Sequence, residues 1–389
     1  MMMSNKYILT VFFLMLTIGS AISQHCAFDE KHQALLQSDA AYLQRTLQME
    51  NEIYQYSLDA LKSKIQSRSK PIYTLPLVVH LIVPPGTAIG QSNNLTDRQV
   101  EQGLDYLNQA FSNSGPFAAA NGVDVGIQFC LARRDPNGQP TNGITRTPSN
   151  LVNDMMCALG TNANNDAAIK ALIGWDCTRY INIFLVTDLF NNNFGCSLAG
   201  YAYFPGAPCT VDGIVQESRY WNSIGGTVVT AHEMGHYFSL NHTFNGGCTN
   251  GNCLQDGDRV CDTPPDNSAS FAPCNTNSCN TDIPDLPDDN SNYMDYTSCG
   301  PVHFTDGQRN RMIAALETTR KSLISSNGCL PPGNYDAAAL ELSLQGSVCT
   351  DSLCPKFKIR NDGSKKFFNT GYQLSAQWNS TKSLCGMAY

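Results

Sequence analysis

Residues 231–244 read Ala-His-Glu-Met-Gly-His-Tyr-Phe-Ser-Leu-Asn-His-Thr-Phe, and this stretch decides how the rest of the chain is understood. His232 and His236 stand four apart, so on a helix both imidazoles leave one face a turn apart and can share one Zn²⁺. Glu233 lies between them, where a carboxylate can take the proton of a water on the metal. His242 follows six residues after His236, too far along to stay on that face in register. A helix over about 227–240 must therefore stop, and the chain must turn back, before a third imidazole can reach the ion. The chain has only 7 His, which makes three at these offsets a metal set rather than an accident.

Working outward, residues 245–300 are rich in Gly, Asn, Asp and Pro and carry six cysteines from Cys248 to Cys299. Such a segment cannot build an apolar core, so disulfides, with or without a bound cation, must hold it. Its run Asp256-Gly-Asp258-Arg-Val-Cys-Asp262-Thr263 suits calcium, and a merely solvated acidic loop is the alternative. Thr305-Asp-Gly-Gln308 is a capping box opening a helix to about residue 322, which closes this domain near Cys329.

Upstream, residues 72–83 are almost continuously apolar and predict a buried strand, with His80 as a core histidine. Thr96-Asp-Arg-Gln99 caps a helix whose apolar face is Val100, Leu104, Leu107 and Phe111. Further strands are expected over 123–132 and 180–186, with shorter edge strands over 200–205 and 213–216. Helix and strands alternate, which predicts an α/β layer packed over the histidine helix, with no internal repeat.

Lys6, the apolar run over 7–18 and the small residues Ala21 and Ser23 predict a signal peptide over residues 1–23. No later segment is apolar enough to span a bilayer, so a soluble, exported protein without membrane insertion is expected. Residues 24–70 are polar and helix-prone and read as a pro-segment, with the basic stretch over 62–70 exposed for proteolytic removal. Cys26 leaves two readings open: a thiolate that holds the zinc and keeps the protein latent, or a plain disulfide or inert thiol. Residues 71–329 form the main domain; Pro331-Pro-Gly marks a linker, and 330–389 show the alternation of a partial β-sandwich.

Sixteen cysteines in an exported chain imply disulfides, and the twelve between Cys130 and Cys329 can pair among themselves. The odd tail set of Cys349, Cys354 and Cys385 suggests either a free thiol or, the favoured expectation, a domain continuing past Tyr389. A net charge of −8 without a basic cluster excludes nucleic acid as a partner. Asn94-Leu-Thr and Asn379-Ser-Thr are usable glycosylation sites, whereas Asn241-His-Thr lies inside the metal set.

The zinc stretch, Met294-Asp-Tyr296, the flanks His-Thr-Phe-Asn-Gly-Gly-Cys and Asp-Thr-Pro-Pro, and upstream segments such as Leu-Pro-Leu-Val-Val-His-Leu-Ile resemble the pappalysin family of metzincin peptidases, close to its ulilysin-like branch. The resemblance covers about residues 26–329. It implies an α/β (α+β) catalytic domain with a twisted mixed sheet over a zinc helix and an irregular, disulfide-rich lower part. It further implies His232, His236 and His242 as zinc ligands, Glu233 as general base, Met294 as the floor under the histidines and Tyr296 as a transition-state helper. Calcium would sit around Asp258, Val260 and Thr263, and substrate would add as a strand near residues 199–204. Two positions depart from the family: Ser239 stands where a helix-ending glycine is usual, and the segment after Tyr296 lacks the acidic residue of arginine-preferring members.

A zinc endopeptidase acting on protein or peptide substrates is the leading expectation. The competing one is a secreted adhesion or binding protein with a non-catalytic zinc site. A structural site usually has four protein ligands, so a base beside an open position favours the enzyme.

Overall fold

The computed structural model describes residues 25–63, 72–153, 163–187, 189, 198–267, 273–296, 299, 302–332, 337–344 and 355–361. Its frame is a seven-stranded mixed sheet in the order β1-β6-β7-β5-β2-β3, with β4 also pairing β2. The strands are β1 (His25–Cys26), β2 (Tyr73–Val83), β3 (Ile127–Leu131), β4 (Ile144–Pro148), β5 (Ile181–Val186), β6 (Leu198–Ala202) and β7 (Ile214–Glu217). The helices are α1 (Phe28–Ser38), α2 (Ala40–Ser63), α3 (Asp97–Phe111), α4 (Ala163–Ile173), α5 (Ile224–Tyr237) and α6 (Asp306–Glu317). Outside the main sheet, β8 (Ala337–Leu344) and β9 (Pro355–Asn361) pair antiparallel.

The apolar run of β2 makes it the sheet's centre because neighbours cover both of its edges and both of its faces. Its first half pairs with β3, its second half with β4 and its other edge with β5, all parallel. Leu75, Leu77, Val79, Leu81 and Val83 point into the main core shared with α3 and α5. Ile82 points the other way, with Phe184 and Val186, toward Ile169 of α4. That two-faced burial explains a continuous rather than alternating hydrophobic strand. Gly103 of α3 lets Trp221 lie flat against the helix, since a Cβ there would stand 2.2 Å from the indole nitrogen.

Both capping boxes form, at Thr96/Gln99 and Thr305/Gln308. Other boundaries shift for local reasons. The strand expected over 123–132 is confined to Ile127–Leu131, because Asp124 accepts from the Gly126 amide and Gly126 adopts φ 77°. Helix α5 starts at Ile224, capped by Ser223 accepting from Gly226, and ends at Tyr237. Helix α6 ends at Glu317 rather than near 322, where only a short 3₁₀ turn stands (Lys321–Leu323). Strand β4 and helix α4 carry too little periodicity to be read beforehand.

Disulfides join Cys130–Cys329, Cys177–Cys209, Cys248–Cys279, Cys253–Cys261 and Cys274–Cys299, the last three stapling the irregular segment below the sheet. The Asn94 sequon is not usable: Asn94 is buried and its Nδ2 donates to Thr87 O at 2.9 Å, so attaching a glycan would tear out a structural side chain. The signal peptide, the stretch beyond Ser63 up to Pro71, Asn379 and the tail cysteines lie outside the described residues. Among the described residues no helix is long and apolar enough to cross a membrane.

His80 is a core histidine. Its Nε2–H donates to Asn182 Oδ1 at 2.9 Å and its Nδ1 pairs with the Thr145 hydroxyl at 2.7 Å, a bonding set the neutral ring fills without a charge in the core. Burial lowers its pKa from 6.5 to about 4. Stability from neutral His80 is therefore fully present above pH 6.5 and is lost as pH falls toward 4, a loss of about 3 kcal/mol. Urea unfolding at pH 7 and at pH 4.5 checks this: His80→Gln should lose less stability between the two than the parent, and equal losses would refute it.

Candidate metal centre

The histidine helix ends where the spacing requires. Phe238 is the C-cap and Ser239 follows with φ 79°. The Ser239 amide donates to His236 O and the Leu240 amide to Gly235 O, both at 2.9 Å. This paired bonding is a Schellman ending, which reverses the chain and brings His242 back to the helix. Arg311 of α6 secures the turn: its Nε donates to Ser239 O at 2.7 Å and its Nη2 to Ser239 Oγ at 3.1 Å.

The Nε2 atoms of His232, His236 and His242 stand 3.1, 3.1 and 3.2 Å from one another. Each ring's other nitrogen faces an acceptor. His232 Nδ1 donates to Tyr293 O at 2.6 Å, His236 Nδ1 to Leu240 O at 2.7 Å and His242 Nδ1 to Asp29 Oδ2 at 2.9 Å. With the protons on Nδ1, the three Nε2 atoms present bare lone pairs to each other, and no hydrogen bond among them can relieve the repulsion. A cation resolves the conflict: tetrahedral zinc with Zn–N of about 2.0–2.1 Å would set the nitrogens roughly 3.3 Å apart. The donor set therefore fits zinc. Burial first, then the neighbouring imidazoles, lower His232 to about 3 and His236 well below its usual value, which keeps these rings neutral as ligands must be.

A fourth donor joins them. The buried Cys26 Sγ and one nitrogen of each ring lie within 4.8 Å of one another, and Cys26 is the one cysteine among the described residues outside a disulfide. Cys26 arrives on β1, which pairs parallel with the sheet's outer strand β6, Cys26 opposite Gly200. Its thiol donates to Glu233 Oε2 at 3.4 Å. Its amide donates to the Tyr296 hydroxyl at 3.3 Å, and that hydroxyl donates to Cys26 O at 3.2 Å. Burial, then the Glu233 carboxylate, push the thiol well above its usual range, and burial raises Glu233 to about 8. Phe28 stacks on His236 with ring centroids 4.0 Å apart, capping the cluster on the cleft side.

Comparison with known proteins decides the family. The peptidase M43 model described as pregnancy-associated plasma protein-A matches residues 163–317. An extracellular metalloprotease of Colletotrichum graminicola is 39% identical over 264 residues, covering 64% of this chain and 77% of its own length. One from Pyricularia oryzae is 30% identical over 266 residues, covering 64% and 76%. Among solved structures, a mutant of Tannerella forsythia promirolysin is similar at 27% identity and TM-score 0.53, covering 77% of this chain and 95% of that one. The chain belongs to the pappalysin family of metzincin metallopeptidases.

In this pappalysin the methionine turn lies below the histidines. Met294 is fully buried under Gly235, where an added Cβ would meet its sulfur at 2.4 Å. The turn is pinned by Asn292, whose side chain accepts from the Met294 amide and pairs twice with Gln308 of the α6 cap. The residues expected to hold calcium are joined by hydrogen bonds: the Thr263 hydroxyl lies 2.7 Å from Asp258 Oδ2 and 3.1 Å from Val260 O, donating toward them. Burial raises Asp258 to about 7. Asp29, Glu50 and Arg311 escaped the sequence reading, because nothing local in the chain marks a carboxylate that acts 213 residues away, as Asp29 does on His242.

Ser239 keeps a left-handed backbone at a cost of roughly 1–2 kcal/mol and recovers about 1 kcal/mol from its hydroxyl's bond to Arg311. Ser239→Ala should therefore lower the melting temperature, whereas Ser239→Gly, which removes the strain together with the bond, should lie near the parent. An alanine variant at least as stable as the glycine variant would refute this account.

Proposed function

We propose that this chain is an exported zinc endopeptidase held latent by residues 24–70, with His232, His236 and His242 as metal ligands. The observation that carries the reading is the convergence of three lone pairs with no proton between them, beside a buried carboxylate. Zinc there would supply Lewis acidity toward water and toward the carbonyl under attack.

The chain's own residues do the rest. Glu233 takes the proton of the attacking water and hands it to the departing amide nitrogen, as a base then an acid. Gly200 gives that carboxylate room, since a Cβ on β6 would stand 3.1 Å from Glu233 Cγ. The Tyr296 hydroxyl, occupied by the backbone of Cys26 in the latent form, turns to the developing oxyanion once residue 26 leaves. A protein or peptide substrate takes the place of β1 along β6, where the backbone groups of an outer strand offer main-chain hydrogen bonds. Latency follows from chemistry at one position: the Cys26 sulfur stands among the imidazoles, where thiolate is a good zinc ligand, and also covers Glu233 and Tyr296.

Export rests on the N-terminal segment and on relatives named as extracellular. Cleavage of casein tests the enzyme. In the form lacking residues 24–70, Glu233→Ala should lose roughly 10²–10⁴-fold in rate while retaining zinc. In the full chain, Cys26→Ala should cleave casein where the parent does not. Unchanged cleavage by the first variant removes Glu233 as the base, and a silent second variant removes Cys26 as the lock.

Calcium at Asp258, Val260 and Thr263 belongs to the same reading, supported by the oxygen-rich sequence and by three neighbouring buried residues whose oxygens the Thr263 hydroxyl now links. Added calcium should raise the melting temperature of the parent and leave Asp258→Asn unmoved. Identical melting of the parent with and without calcium would remove the site.

A further inference from the structure

Two of the three imidazoles are held by residues of the catalytic domain itself, through the carbonyls of Tyr293 and Leu240. The third is not. His242 Nδ1 donates to a carboxylate of the pro-segment, Asp29 Oδ2, at 2.9 Å. Asp29 lies three residues past Cys26, at the start of α1, so the turn of chain that delivers the thiol also delivers this acceptor.

The turn that carries His242 is tied to the pro-segment by a second route. Arg311, which grips both the carbonyl and the hydroxyl of Ser239, also donates from Nη2 to Glu50 Oε1 of α2 at 2.6 Å. The other oxygen of Glu50 meets Arg259 Nη1 at 2.8 Å. Met49 and Ile53, on either side of Glu50, are buried with Ala314 and Ala315 of α6, which fixes the height of α2 against the helix bearing Arg311. The hydroxyl in this chain exists only because Ser239 replaces glycine, so Arg311 has a grip on the turn that a glycine would not offer.

We propose that Asp29 and Glu50 are positioning residues for the third zinc ligand: the segment that blocks the cleft also holds His242 and its turn in the arrangement that retains the metal. The proposal rests on the three imidazoles being the zinc site. The latent form then retains zinc more firmly than the form lacking residues 24–70, and by more than the Cys26 sulfur alone accounts for. Departure of the segment leaves His242 Nδ1 to water and takes from Arg311 and Arg259 the carboxylate they share.

Zinc retention by the full chain carrying Cys26→Ala, which silences the sulfur, tests this by competition with a chromophoric chelator. Removing an acceptor behind a metal-bound histidine typically costs 10–100-fold in metal affinity. Asp29→Ala should weaken retention by about that much. Asp29→Asn, whose amide oxygen still accepts from Nδ1–H, should recover most of the loss, and Glu50→Gln should show a smaller one. The Asp29 side chain is 55% exposed, so the melting temperature of the zinc-free Asp29→Ala protein should match its parent and separate positioning from folding. Zinc held by Asp29→Ala as tightly as by the parent overturns the proposal. A parent that takes up no zinc overturns both the proposal and the function above. Weakened retention in a chain that cleaves no casein supports the proposal and overturns the function.

Discussion

Three imidazole nitrogens pointing their lone pairs at one another within about 3.2 Å is an arrangement no neutral protein interior tolerates without a cation, and the structure around it serves to impose it. Each ring is oriented by an acceptor behind it, and the three acceptors come from distant parts of the chain: the methionine turn, the residue after the helix-ending turn, and the N-terminal helix α1. Orienting the rings from behind fixes the neutral tautomer with its proton on Nδ1, so the opposite nitrogens are the ones offered to a metal. The metal site is in this sense assembled by hydrogen bonds to backbone and carboxylate before any ion arrives.

The same economy governs the cleft. An outer strand such as β6 would expose unpaired backbone groups, and the N-terminal segment satisfies them with strand β1. That strand then sets a thiol among the ligands, a hydrogen bond on Glu233 and two on the Tyr296 hydroxyl. Behind it, α2 adds an apolar seam and a half-buried Glu50 shared by Arg259 and Arg311. Residues 25–63 are thus bound through apolar contact, strand pairing and ion pairs at once.

The irregular region below the sheet has a different task. With little apolar material of its own it cannot fold on burial, and three disulfides hold it instead. Stapled in that way, it can present the Met294 turn as a fixed floor, locked to the cap of α6 by the paired amides of Asn292 and Gln308. Close packing of Gly235 on Met294 then sets how near the helix approaches that floor.

Local patterns in the chain were sufficient for the histidine helix, its reversal before His242, the buried strand through residue 83, the core role of His80 and both capping boxes. Each depends on neighbours within a few residues, so periodicity and spacing carry the information. Tertiary structure alone decided what stands behind His242, what steadies a serine in a left-handed turn, and which carboxylate Arg311 and Arg259 share. It also decided that Asn94, formally a sequon, is a buried structural side chain. These outcomes join residues separated by tens to hundreds of positions, and a pairing between distant side chains leaves no periodic mark in either segment: only the fold that brings Asp29 to His242 makes them neighbours.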